Sequence, residues 1–125
     1  MTVARQKLGH RAERVAAQRL AAAGWRILDR NFRLREGELD LVALEGGTVV
    51  FVEVKAGRIG AGRGPERPVL AVGTRKQLQL RRLARAWIGA GLTPAGIAGY
   101  RFDVIGISFD AAGAIAAYEH LRGAF

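Results

Sequence analysis

Cysteine is absent from the 125 residues. Disulfides and thiolate chemistry are therefore excluded, and a reducing cytoplasm is compatible with the chain. No apolar run reaches the about 18 residues that a membrane-spanning helix needs. The N-terminal stretch M-T-V-A-R-Q-K-L-G-H-R is too charged to hold the apolar core of a signal peptide. A cytoplasmic protein with no membrane partner is expected. Repeats and low-complexity tracts are missing as well. Acids are scarce, with 11 Asp and Glu against 20 Lys and Arg, for a formal net charge of +9. That excess suits a polyanionic partner, although an Arg-, Ala- and Gly-rich composition of the kind high-GC coding favours would also produce it. Half of the residues are hydrophobic, so the chain is not disordered. Its length fits one domain, residues 1–125, with a real core.

The few acids are not spread evenly. Glu36, Glu38, Asp40 and Glu53 fall in or beside the stretch G-E-L-D-L-V-A-L-E-G-G-T-V-V-F-V-E-V-K, Gly37 to Lys55. Period-two alternation on both sides of Gly46-Gly47 predicts a hairpin, and Val and Phe enrichment supports its second strand. A two-residue loop sets Glu45 against Thr48. Counting outward, Asp40 then faces Glu53 and Glu38 faces Lys55. Opposed side chains on one face have Cβ atoms roughly 4.5–5.5 Å apart, so two carboxylates there repel. A divalent cation would reverse the sign of that interaction. Lys55 stands two residues beyond Glu53 and projects from the same face.

Elsewhere the periodicities are simple. Leu8, Ala12, Val15, Ala16, Leu20 and Ala23 mark a helix over about 2–23, with Gly24 as its stop. Arg19 interrupts the stripe and must snorkel or pair. Glu13 lies at the stripe's edge. It is either a solvated acid near Lys7 or Arg14, or a carboxylate turned toward the sheet. His10 reads as a surface residue. Residues 25–32 predict a first strand. Residues 56–73 are the least regular part and carry Arg58, Arg63 and Arg67. They form either a basic loop able to close over a phosphate backbone or an ordinary surface loop. Residues 74–90 predict a second helix with Thr74 as N-cap. Lys76 falls within its apolar stripe, pointing at something acidic or snorkelling. Arg75 lies on the opposite, solvated or phosphate-contacting side. Strands are predicted over 100–109 and 115–121, and Asp103 would pair with Arg101 or a neighbour.

An Asp on one strand followed by E-x-K on the next makes a usable phosphodiesterase site. Asp40 and Glu53 would supply oxygen ligands to Mg²⁺ or Mn²⁺, with the backbone carbonyl of Val54 completing the shell. Lys55 would position the attacking water or neutralise the phosphate.

G-E-L-D-L-V-A followed by V-F-V-E-V-K resembles the restriction-endonuclease-like (PD-(D/E)xK) superfamily, and more closely the bacterial YraN family of predicted endonucleases. The likeness runs from Gly9–Glu13, Ala16, Leu20, Gly24 and Asn31 through Gly37–Asp40, Phe51–Lys55, Lys76, Ala84 and Arg101–Asp103 to His120 and Ala124-Phe125. It departs at Ala12, where glycine is more usual, and at Ala56–Arg58. The resemblance implies an α/β fold with an α-β-β-β-α-β core, a mixed β-sheet flanked by helices. It implies a Mg²⁺- or Mn²⁺-dependent endonuclease hydrolysing DNA, including branched or damaged structures, and a homodimer. Asp40, Glu53 and Lys55 would be the catalytic set, with Glu13 a helix-borne acid reaching the metal. The alternative is a nucleic-acid-binding module without turnover, using Arg58, Arg63, Arg67, Arg75 and Lys76.

Overall fold

The computed structural model describes residues 3–60 and 67–125. Helix α1 (Val3–Ala22) leads into strands β1 (Arg26–Leu34), β2 (Gly37–Glu45) and β3 (Thr48–Arg58). A short 3-10 turn (Pro68–Leu70) and helix α2 (Thr74–Gly89) carry the chain to β4 (Gly99–Phe109) and β5 (Ile115–Leu121). The five strands lie in sequence order in one sheet. Only the β3–β4 pair is parallel, and a parallel pair needs a long crossover, which α2 provides. The order is thus α-β-β-β-α-β with one further strand.

The helices cover opposite faces. Ala12, Ala16, Ala17 and Leu20 of α1 pack with Leu41, Ala43, Val50, Val52, Ile105 and Ile107. Leu80, Leu83, Ala84 and Trp87 of α2 pack with Val42, Val49, Phe51 and Val104. On β3 the alternation is strict, so Val50 and Val52 face α1 while Val49 and Phe51 face α2.

Several local expectations are met. Gly24 adopts a φ of 93°. Its N–H donates to the Ala21 carbonyl (3.0 Å), and the Trp25 N–H reaches back to Leu20 (3.0 Å). This is the paired-bond C-cap that a glycine in the left-handed region allows, and it drops Trp25 into the α1-side core. Arg19 rests over the Tyr118 ring, 4.3 Å from its centroid. The hairpin register holds from Glu45↔Thr48 to Leu41↔Val52.

Others are corrected. The N-cap of α2 is Gly73, without a side-chain bond, so Thr74 is the first helical residue. Strand β1 runs two residues past Phe32, and β3 continues through Gly57 to Arg58, paired with Phe109 of β4. Pairing to a buried neighbour overrides the weak strand preference of Ala-Gly. Gly57 is needed there: a Cβ would sit 2.8 Å from Pro68 Cγ. Gly106 is tighter still, since its Cβ would lie 2.5 Å from the Val69 nitrogen. The 3-10 turn is therefore seated on two side-chain-free positions beside the crossover.

Candidate active site

The hairpin ladder ends at Leu41↔Val52, one step short of the expected Asp40–Glu53 and Glu38–Lys55 pairs. Glu38 instead faces Arg33 on β1. Beyond the last rung, the Val54 N–H donates to Asp40 Oδ2 at 2.8 Å. A side-chain carboxylate has taken a donor that a longer ladder would have used. The alternation of β2 breaks at the same place. Leu39 belongs to the α2-side core and Leu41 to the α1-side core, although residues two apart in a regular strand share a face. Asp40 sits at this break, between the two faces.

Three carboxylates converge there. Oxygens of Glu13, Glu38 and Asp40 all lie within 4.8 Å of one another. Glu13 therefore turns toward the sheet, as the second of its two readings has it. It is held by Asn31, whose Nδ2 donates to Oε2 at 3.0 Å. Asn31 has a φ of 52° and is the one non-glycine residue in that region among those described. Asn is among the few side chains that tolerate it. Glu38 is held from outside by Arg33, at 2.9 Å.

Asp40 and Glu53 are both nearly buried, 9% and 5% exposed. Burial of Asp40, a hydrogen bond to Glu53, and the negative charge of Glu53 push the Asp40 carboxyl up to about 9. The Val54 N–H pulls the other way and Glu13 adds a further push upward. Glu53 lies outside the trio and is matched by cations: Lys76 Nζ is 3.5 Å and Lys55 Nζ 3.8 Å from Oε2. The lysine in the apolar stripe of α2 thus points at an acid, across the α2-side face from β3.

The donor set fits a hard divalent cation. Oxygens at about 2.1 Å from Mg²⁺ can be at most about 4.2 Å apart, and those around Ca²⁺ about 5 Å. A trio spanning up to 4.8 Å closes on such an ion with sub-ångström movement. Asp40 and Glu13 would hold it, with Glu38 as the third carboxylate and Glu53 joining on release from its lysines.

The basic residues divide. Arg58, at the end of β3, and Arg75, in the first turn of α2, are exposed. Arg67 pairs with Glu119 on β5, Nε donating at 3.0 Å to Oε1, and its side chain stays half exposed. Arg63 lies outside the described residues. Glu38 and Asn31 join the site through tertiary contacts. Glu38 was legible as the acid two before Asp40. Nothing in the spacing signals Asn31, whose role depends on a helix eighteen residues away.

Comparison with known proteins agrees across the chain. Residues 12–107 match a family described as uncharacterised protein family UPF0102. A UPF0102 protein of Parafrankia sp. (strain EAN1pec) is 46% identical over 122 residues, covering 96% of this chain and 97% of the relative. One from Moorella thermoacetica is 40% identical over 127 residues, covering all of both. A Geobacter metallireducens relative is 41% identical over 125 residues, covering 100% and 97%. The chain belongs to the UPF0102 family.

Proposed function

We propose that this UPF0102 protein is a metal-dependent endonuclease with a restriction-endonuclease-like fold, hydrolysing phosphodiester bonds in DNA. The observation that carries this reading is the convergence of Glu13, Glu38 and Asp40 within 4.8 Å, beside a buried Glu53 and two lysines. Burial, a hydrogen bond to Glu53 and the negative charge of Glu53 push the Asp40 carboxyl up to about 9, and Glu13 adds a smaller push in the same direction. Such an arrangement costs stability unless a cation fills it. When bound, Mg²⁺ or Mn²⁺ supplies charge stabilisation at the phosphoryl group and a water of lowered pKa. Lys55, a third exposed, is placed to meet a phosphate oxygen or the attacking water. Lys76 keeps Glu53 oriented from the α2 side.

The test is a Mn²⁺ and Mg²⁺ titration by calorimetry on wild type and Glu53→Ala, with a branched-DNA cleavage assay on the same samples. Metal binding weakened in the variant, with cleavage by wild type alone, is the expected result. Cleavage by a clean Glu53→Ala preparation rejects the assignment.

One observation favours a second reading, a nucleic-acid-binding module without turnover. Glu53 already has Lys55 and Lys76 at ion-pair distance, so it needs no metal. That reading expects salt-sensitive DNA binding with no metal uptake and no products.

A further inference from the structure

A cavity of about 240 Å³ opens between α1 and β1 beside Glu13. It is lined by His10, Glu13, Arg14, Arg30, Asn31 and Leu41. Resting on the nuclease reading, we propose that this cavity takes one phosphate of the DNA strand next to the one being cut, with Arg14 and Arg30 as the groups that hold it.

Three features support the assignment. First, the two guanidiniums are exposed and neither forms an ion pair or side-chain hydrogen bond among the described residues. Most arginines in contact with this sheet behave otherwise. Arg33, Arg67, Arg101 and Arg122 have carboxylate partners, and Arg11, Arg19 and Arg81 lie over aromatic rings. Second, the two come from different elements, a helix and an edge strand, and converge on one concave space. His10 stands one turn before Arg14 on the same helix face and adds a third nitrogen donor. A solvated charge run would spread along one element instead. Third, the cavity shares Glu13 with the carboxylate trio, so a group bound in it is adjacent to the acids. The volume is below the roughly 300–1,000 Å³ of sites that engulf a whole small molecule. It suits one unit of a longer chain rather than a free ligand.

The consequence is a direction for the strand. Lys55, Lys76 and Arg75 supply positive charge on the α2 side of the acids. Arg14, Arg30 and His10 supply it on the α1 side. A strand bound by both would cross the gap where the β2–β3 ladder ends. Asn31 then has two tasks, aiming Glu13 and forming the cavity wall, which accounts for a left-handed backbone at a position with no glycine.

The experiment is fluorescence anisotropy of a labelled branched DNA with Ca²⁺ replacing Mg²⁺, between about 50 and 200 mM salt. It uses wild type, Arg14→Ala/Arg30→Ala, and Arg82→Ala/Arg85→Ala on the exposed side of α2. Loss of the one phosphate held there predicts about a tenfold weaker affinity and a salt slope shallower by about 0.9 for the cavity variant. Its Mn²⁺ affinity should stay within twofold of wild type. An unchanged slope overturns the proposal, as does an equal loss in the α2 variant, which would mark a general charge effect. Displacement of the DNA by micromolar dTMP also overturns it, by making the cavity a free-nucleotide site. If wild type binds and cuts DNA while the cavity variant matches it, only this inference falls. If wild type takes up neither metal nor DNA, the nuclease reading falls with it.

Discussion

Two buried aspartates stand in this sheet, on β2 and β4, and have opposite fates. Asp103 on β4 is paired in register with Val52, the residue before Glu53, but on the face turned toward α1. It has no exposed surface. Burial alone would raise its pKa, yet hydrogen bonds from His120 (2.7 Å), from Arg101 (2.8 and 3.1 Å) and from the Gly123 N–H (2.9 Å) hold it at about 2. Glu45 joins through Arg101 and Arg122, and Trp25 closes the cluster against His120 and both guanidiniums. Asp40 is almost as buried and receives one backbone N–H from Val54, with carboxylates around it and a pKa pushed up to about 9. The first cluster carries its own cations and needs nothing further. It ties the C-terminal residues to the sheet. Among the described residues the second has no cation of its own on Asp40, and a strongly shifted carboxyl in such surroundings marks it as the candidate site.

The largest effect that would sharpen this contrast is on activity. Asp40→Ala is expected to abolish metal-dependent DNA cleavage, a loss of at least a thousandfold, while leaving the circular dichroism spectrum unchanged. Asp103→Ala should leave the chemistry of a folded sample largely intact. Stability should order the two the other way. Removing Asp103 takes the shared acceptor from His120, Arg101 and the Gly123 N–H, leaving Arg101 with Glu45 as its one acid among the described residues, and should cost about 3–5 kcal/mol by urea unfolding. In Asp40→Ala, removal of a buried polar carboxyl offsets the orphaned Val54 N–H, so the change should stay within about 1 kcal/mol. Equal destabilisation of both variants would break the comparison.

The pH dependence comes next. An acid held at about 2 in the fold, against 3.8 when free, contributes its full stabilisation above the free value. That contribution is lost as pH falls through about 2. The difference is about 2 kcal/mol. Unfolding midpoints measured from pH 6 down to pH 2 should fall in wild type, and Asp103→Asn should remove about that much of the slope. The smallest effect is expected at Arg33→Ala. Its pair with Glu38 is largely exposed, so unfolding should change by about 0–1 kcal/mol, even though the variant frees a carboxylate of the trio for a cation.

How much of this is legible in the sequence depends on the range of the interaction. The five rungs from Glu45↔Thr48 to Leu41↔Val52 follow from Gly46-Gly47 and the alternation around it. The next rung does not form, because Asp40 spends its carboxylate on the Val54 N–H. Periodicity counts residues and is blind to a side chain that substitutes for backbone. Lys76 was readable as a cation inside an apolar stripe, but its target lies twenty-three residues back, on β3. The pair between Arg67 and Glu119 has no local signal, since fifty-two residues separate them.

Local chemistry within the chain determined the two helices, the hairpin, the glycine stop at Gly24, the basic balance and the gathering of acids near Gly37–Lys55. Each of these depends on neighbours a few residues apart, and backbone sterics and side-chain periodicity act over that range. Only the tertiary structure decided which acids are neutralised and which are not. Charges interact through space. Packing α1 against β1 brings Glu13 to Asp40 and Arg14 to Arg30, and packing β5 against β4 brings His120 to Asp103.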